Sequence, residues 1–347
     1  MFGTYKPQDV TILLKDISGL VEPLGTAERE KLIQSGRHYS EMLPIEYEPS
    51  EKYLQAYFDA LNRYAKITAA AVKTVAEKIF ADKGRNVALV SLARAGTPIG
   101  ILIKHYLERN FPCTVAHYTI SIIRGIGIDK NAVKFILSRH SPREIQFVDG
   151  WTGKGAIQRE LANAMKNFPN VSAGLAVLSD PAGVAEKFGT REDFLIASSL
   201  LNSTVSGLLS RTFLRSDIIG AEDFHGAAFY SELADKDLTY QFINAIEKNF
   251  DVPALIDDFK PRNGLEDVKK IAADFSIDDV NLIKPSIGEA TRVLLRRLPW
   301  KILVHSLHDE EHLGHLYQLA KEKGAPLELY PLKNYKACGL IRRLADN

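Results

Sequence analysis

The sequence predicts an α/β fold: a parallel β-sheet covered by helices on both faces, followed by a small, separate α/β module. Three observations carry this. From residue 86 to about 215 a strand–loop–helix pattern repeats. The polar, glycine-bearing loops fall after predicted strands, where ligands sit in parallel sheets. From residue 282 onward, eleven Lys and Arg stand against seven Asp and Glu, while the whole chain of 347 residues has a net charge of only +1. The expected domains are 1–275 and 276–347.

Composition bounds the function classes. Hydrophobic residues at 46% and charged residues at 25% suit a soluble globular protein with room for two domains. The near-zero charge excludes an overall nucleic-acid or membrane bias, so any such bias is local. Two cysteines, Cys113 and Cys338, argue against a disulfide framework and fit a reducing compartment. No signal-peptide pattern opens the chain and no apolar run reaches membrane-spanning length, so a cytoplasmic protein is expected, with self-association left open.

Along the chain, residues 10–14 read as a short strand. A long helix opens after Pro49 and Ser50, follows an apolar stripe through Leu61, Val72 and Ile79, and stops at Gly84 as a C′ residue. Strand 86–93 precedes a helix over 98–108, and strand 113–122 precedes a polar connection holding Arg124, Gly125, Gly127, Asp129 and Lys130. Residues 145–148 form a short buried strand, Asp149 ends it, and a helix spans 156–165. Further strands are expected at 174–180 and 193–199. The stretch 199–213 reads as a helix N-terminus, with Asn202, Ser203 and Thr204 as capping or pocket hydroxyls and amides. Residues 224–242, with His225 and Tyr230, extend the domain, and 251–281 reads as a linker or connecting helix.

Thr152, Gly153, Lys154 and Gly155 form the turn between Asp149 and the 156–165 helix. Backbone N–H groups at such a helix start make an anion site, and a carboxylate just before it suits ribose hydroxyls. Its spacing is neither a Walker A nor a dinucleotide turn. Arg94, Ala95, Gly96 and Thr97, after strand 86–93, form a second anion loop with a guanidinium suited to pyrophosphate.

On these residues a resemblance stands. Strand, Asp149 and the Thr-Gly-x-Gly loop resemble the phosphoribosyl-pyrophosphate (PRPP) motif of type I phosphoribosyltransferases, with Gly150 where the family has a second acid. SLARAGTPIG (91–100), SIIRGIGID (121–129) and FVDGWTGKGAI (147–157) resemble a divergent bacterial group linked to tellurite-resistance and stress operons, over roughly residues 30–250. The resemblance implies transfer from PRPP. Thr152 to Gly155 would hold the 5′-phosphate, Asp149 the ribose, and Arg94 to Thr97 pyrophosphate with Mg²⁺, while Arg124 or Lys130 closes over it. Families of this look have also been labelled cysteine proteases; here Cys113 with His117 would be the pair, with Asp129 or Asp149 orienting it. A third expectation is a nucleotide or RNA sensor without turnover.

The C-terminal segment reads as helix (286–298), strand (301–306), helix and strand. It resembles the Pelota-type RNA-binding domain at Gly288-Glu289-Ala290-Thr291-Arg292 and at 324–342. That implies a structured RNA partner held by Gly288, Glu289, Arg292, Arg296, Lys333 and Lys336, through phosphate contacts. His308, Glu311 and His312 match an H-x-x-E-H zinc pattern with His315 on the same helical face, although acids in a first helical turn explain the same residues.

Overall fold

The computed structural model describes residues 2–256 and 262–343. Two-residue strands β1 (Thr11–Ile12) and β2 (Lys15–Asp16) and helix α1 (Thr26–Gln34) lead into the long helix α2 (Glu51–Lys83). Gly84 ends α2 at φ +72°, as a C′ glycine does. There follow β3 (Asn86–Leu92), α3 (Gly96–Asn110) and β4 (Thr114–Ile120). A small hairpin, β5 (Ile122–Ile123) and β6 (Gly127–Ile128), precedes α4 (Lys130–Leu137). The domain continues through β7 (Ile145–Val148), α5 (Ala156–Met165), β8 (Leu175–Ser179), β9 (Lys187–Thr190), β10 (Gly226–Ala227) and α6 (Thr239–Glu247).

Six strands make one parallel sheet in the order β1-β4-β3-β7-β8-β9. Side-chain alternation divides its core in two. Val87 and Leu89 of β3 join the cluster of α2, α3 and α6, whereas Ala88, Val90 and Leu92 join that of α4 and α5. Both faces are covered, as the near-continuous apolar strands require. From β3 the chain builds outward to β4 on one side and to β7 on the other, so the crevice beyond their carboxyl ends is the switch point of the sheet.

Three local expectations are corrected. Residues 193–199 do not form a strand: the sheet takes Lys187–Thr190 instead, and 193–199 runs buried along the second domain with one short 3₁₀ turn at Ala197–Ser199. The stretch 199–213 is irregular apart from a 3₁₀ turn at Ser203–Val205. The polar connection after Arg124 holds a helix, α4, because Asp129 caps it by accepting from the Ala132 N–H at 3.0 Å.

The second domain comprises α7 (Gly264–Asp274), β11 (Ile283–Pro285), α8 (Ile287–Arg296), β12 (Pro299–Val304), α9 (Glu310–Lys323), β13 (Leu327–Leu329) and β14 (Ala337–Ile341). Its sheet runs β11-β14-β12-β13, with β14 antiparallel to both neighbours. Val268 and Ile271 of α7 pack with Ile283, Leu303 and Leu340, so this body starts near residue 262 rather than at 276. It is not a loosely tethered module. Ile287, Ala290 and Val293 of α8 and Leu313 and Leu316 of α9 share one apolar cluster with α2, and the Tyr64 hydroxyl of α2 donates to the Glu311 carbonyl at 2.8 Å. Among the described residues, no helix is long and apolar enough to cross a membrane.

Candidate functional site

A cleft of about 1350 Å³ opens between the carboxyl edge of the parallel sheet and the second domain. Asp149 lies on its floor, one residue past β7. Its Oδ1 accepts from the Gly150 N–H at 2.8 Å, and its own N–H donates to the Ala176 carbonyl at 3.0 Å. Burial outweighs these contacts and the Arg292 charge, and pushes the carboxyl up to about 7. α3 begins beside it because residue 96 is glycine: a Cβ there would stand 2.5 Å from the Val148 carbonyl oxygen.

The structure brings together part of the expected site. Arg94, Ala95, Arg124 and Asp149 line the cleft from the first domain, and Glu289 and Arg292 line it from the second. Arg94 is held by the Leu209 carbonyl at 2.8 Å and the Asn202 Oδ1 at 2.6 Å. The Arg124 guanidinium lies 5.7 Å from the centre of the Tyr39 ring. Lys130 is exposed at the start of α4 and does not line the cleft. Gly96 and Thr97 also face away, with Thr97 Oγ1 bonded to Thr119 Oγ1 at 2.7 Å in the interior.

The 152–155 loop is not an open anion site. Thr152, 4% exposed, gives its hydroxyl to Asp180 at 2.7 Å and its N–H to the Ser179 carbonyl. The Gly153 carbonyl accepts from the Tyr335 hydroxyl at 2.7 Å. Lys154 donates to the carbonyls of Val280 and Ile283, and burial pushes its amine down to about 7. Gly155 takes φ +72° at the start of α5, as its place in the turn demands. The second domain thus covers the loop expected to hold a 5′-phosphate. Across the cleft from Asp149, Glu289 is committed to Arg292 at 3.1 Å.

Of the residues expected to meet RNA, Gly288, Glu289 and Arg292 turn inward for the same reason. Ser286, at φ +92°, caps α8, and the Ile287 N–H donates to both oxygens of Asp193 at 3.1 Å. Gly288 is buried against Ser199. Glu289 accepts from Arg292 at 3.1 Å and from Trp151; burial raises its carboxyl, but Arg292 and Lys284 more than offset this and hold it low. The Arg292 guanidinium lies 5.6 Å from the Trp151 ring centre. The Lys336 N–H donates to Asp193 at 2.9 Å, and Lys333 is exposed elsewhere. The Arg296 side chain lies outside the described residues.

Neither thiol faces the cleft. Cys113, half-buried, donates weakly to the Leu107 carbonyl at 3.5 Å, and burial, then Glu108, raise it. His117 instead joins Ser91 at 2.8 Å and the Asp9 carbonyl at 2.8 Å, and burial drives it down to about 3. Cys338 is fully buried in β14. At the start of α9, His312 of the helix and His305 ahead of it flank the capping Asp309 at 2.8 Å each, while His315 bonds Thr291 at 3.0 Å. Among the described residues no group of three His, Cys, Asp or Glu side chains could hold a metal ion.

Sequence reasoning missed Asp193, Tyr335 and Arg211. The first two carry no local signal, because their partners are hydrogen-bonded backbone groups of a distant segment. Arg211 had one: it is the single cation in the stretch of small hydroxyls and leucines at 199–213.

Residues 3–247 match a family described as tellurite-like stress resistance cysteine protease StiP, and residues 262–343 match the Pelota RNA-binding domain. A protein of Acinetobacter baylyi named cysteine protease StiP is 36% identical over 99% of this chain and 94% of its own length. Two solved structures of a hypoxanthine-guanine phosphoribosyltransferase from Bacillus anthracis str. 'Ames Ancestor', one with HEPES in its active site, are 16% and 17% identical. They cover 36% and 42% of this chain and 76% and 79% of their own, with TM-scores of 0.27 and 0.25. Likeness that weak carries no argument. The phosphoribosyltransferase activity expected from the sequence is therefore corrected: family and relative bear another enzyme's name, and the loop that was to hold the 5′-phosphate is closed.

Proposed function

The chain belongs to the StiP family of tellurite-like stress resistance proteins, and on that footing we propose that it is a stress-resistance enzyme whose substrate enters the inter-domain cleft and exchanges a proton with Asp149. One observation carries this reading: a carboxyl pushed up to about 7 sits on the floor of the inter-domain cleft, at the switch point of the sheet. A general acid or base works best with its pKa near the working pH. Arginines around the carboxyl stabilise negative charge that develops on a substrate or leaving group. The C-terminal domain, for all its likeness to an RNA-binding domain, serves here as the cleft's second wall. Complementing a deletion strain under tellurite tests the reading: Asp149→Asn should lose resistance while the protein accumulates and melts as a folded chain. Full resistance from that variant would defeat it.

The name of the family favours a second reading, thiol-dependent proteolysis. Cys113 is the candidate nucleophile, since Cys338 has no exposure. Against it, Cys113 precedes β4 at the amino edge of the sheet, roughly 20 Å along the strand from the cleft. Its thiol is raised, where a nucleophile needs it lowered. Casein or peptide hydrolysis abolished by Cys113→Ala, with Asp149→Asn still active, would establish the thiol reading instead.

A further inference from the structure

We infer that Arg29, Arg211 and Arg297, set around Tyr39 and Glu30, form a binding subsite for a compact, multiply charged phosphate group. This deepens the cleft reading by naming the chemical class of ligand, and it rests on the cleft being the working site.

Three stretches of chain, distant in sequence, deliver these cations to one part of the cleft. Arg29 comes from α1, Arg211 from the irregular segment after β9, and Arg297 from the end of α8 in the other domain. They lie near enough for Arg29, Arg94 and Arg297 all to act on Arg211, whose guanidinium is pressed down to about 9 by burial and by those charges. The Arg211 guanidinium lies 5.5 Å from the centre of the Tyr39 ring, the ring that also carries Arg124.

Their own bonding leaves them short of acceptors. Arg297 gives one nitrogen to Glu30 at 3.0 Å, and its Nε is buried without a partner. The Nε of Arg29 is likewise buried and unpartnered. Among the described residues, no acceptor takes a hydrogen bond from the Arg211 guanidinium. The carboxylates nearby are Glu30 and Glu46; Glu46 already accepts from the N–H and hydroxyl of Ser203 and stands 3.9 Å from Arg94.

Buried donors without acceptors are costly, and like charges held together are more so. A fold gains nothing from gathering such groups unless something fills them. Guanidinium forks match the oxygens of phosphate in pairs, and an aromatic ring beneath them fixes their plane. The cluster lines the same cleft as Arg94 and Asp149, so a molecule that binds its phosphate there has the carboxyl within the same cavity. Because Arg297 comes from the second domain, the ligand would also tie the two walls together.

Thermal melts of the full-length chain at fixed ionic strength test this, with inorganic pyrophosphate, inorganic phosphate, and short RNAs carrying a 5′-phosphate or a 5′-hydroxyl as probes. A bound anion at a hundredfold excess over its Kd should raise the wild-type melting temperature by about 5 °C. Pyrophosphate active alone marks a small phosphorylated ligand. A 5′-phosphate RNA active where the 5′-hydroxyl RNA is not marks a nucleic-acid end. Either result supports the subsite. Arg211→Gln and Arg297→Gln should each remove most of the shift, and Arg211→Gln should melt no lower than wild type without ligand, since it relieves repulsion. Asp149→Asn should keep the shift, so loss of resistance in that variant and loss of anion binding are read separately. No shift with any probe, or an Arg211→Gln protein that is destabilised yet shifts like wild type, would overturn the inference.

Discussion

Replacing Asp149 by Asn should make the protein more stable above neutral pH and remove a pH dependence that the wild type must show. The carboxyl has a folded-state pKa of about 7 against an ordinary 3.8, and burial is the main cause. The sign follows from linkage. Between pH 4 and 7 the unfolded chain has released this proton and the native state still holds it, so stability falls as pH rises through that window. Below pH 4 the term vanishes, and above 7 the loss is complete. Three units at 1.36 kcal/mol each set a ceiling of about 4 kcal/mol. Water in the open cleft lowers that, and a difference of about 1 to 3 kcal/mol at pH 8 is expected. Urea denaturation at pH 3.5, 5, 6, 7 and 8 measures it: the curves should meet at pH 3.5 and diverge up to pH 7, with the variant above the wild type at pH 8. Parallel pH profiles would refute the argument, because they would mean that Asp149 ionises like a solvated carboxyl and has no claim to exchange protons near neutrality.

Other expectations follow from single contacts. Asp193→Ala strips acceptors from the N–H groups of Ile287 and Lys336, and at 1–3 kcal/mol for each buried donor the variant should lose about 2 to 5 kcal/mol, seen as a lower melting temperature. Iodoacetamide at neutral pH should label Cys113 slowly and Cys338 only on unfolding, by mass spectrometry, because burial raises the first thiol and seals the second. Residues 262–347 expressed alone should melt far below the intact chain, followed by circular dichroism. Half-exposing Ile287, Ala290, Val293, Leu313 and Leu316 costs on the order of 5 kcal/mol, comparable to the whole stability of a small domain.

How much of this was legible depended on the range of the forces involved. The parallel sheet was readable because Val87 to Leu92 and Ile145 to Val148 are apolar apart from Ser91 and Gln146, as two covered faces demand, and because glycines and Asp149 mark where the strands stop. α2 and α5 matched their expected spans to within two or three residues, since capping and helical periodicity are local. Failures came where a segment's partner was far away. Asp193 opens a stretch with β-like composition, but two backbone donors from the second domain claim its carboxylate, and the sheet edge passed to Lys187–Thr190 instead. β14, the central strand of the second sheet, reads ACGLI and has a glycine in its middle; it is a strand because β11 and β12 flank it.

The 152–155 loop shows why an anion motif in a sequence is a statement about donors and not about ligands. Glycines at a helix start free N–H groups and make room, and any acceptor of the right shape satisfies them. Here protein closes over the loop: Ser179 and Asp180 accept from Thr152, the carbonyls of Val280 and Ile283 accept from the Lys154 amine, and the Tyr335 hydroxyl donates to the Gly153 carbonyl. Closing that loop put Trp151 against Glu289 and Arg292, which anchors the second domain over the sheet's carboxyl edge. The same docking carried Arg297 to Arg29 and Arg211. Charge that the sequence distributes among α1, the segment after β9 and α8 is thereby concentrated in one part of the cleft. The cluster inferred to take a phosphate group is thus assembled from side chains that no local pattern connects.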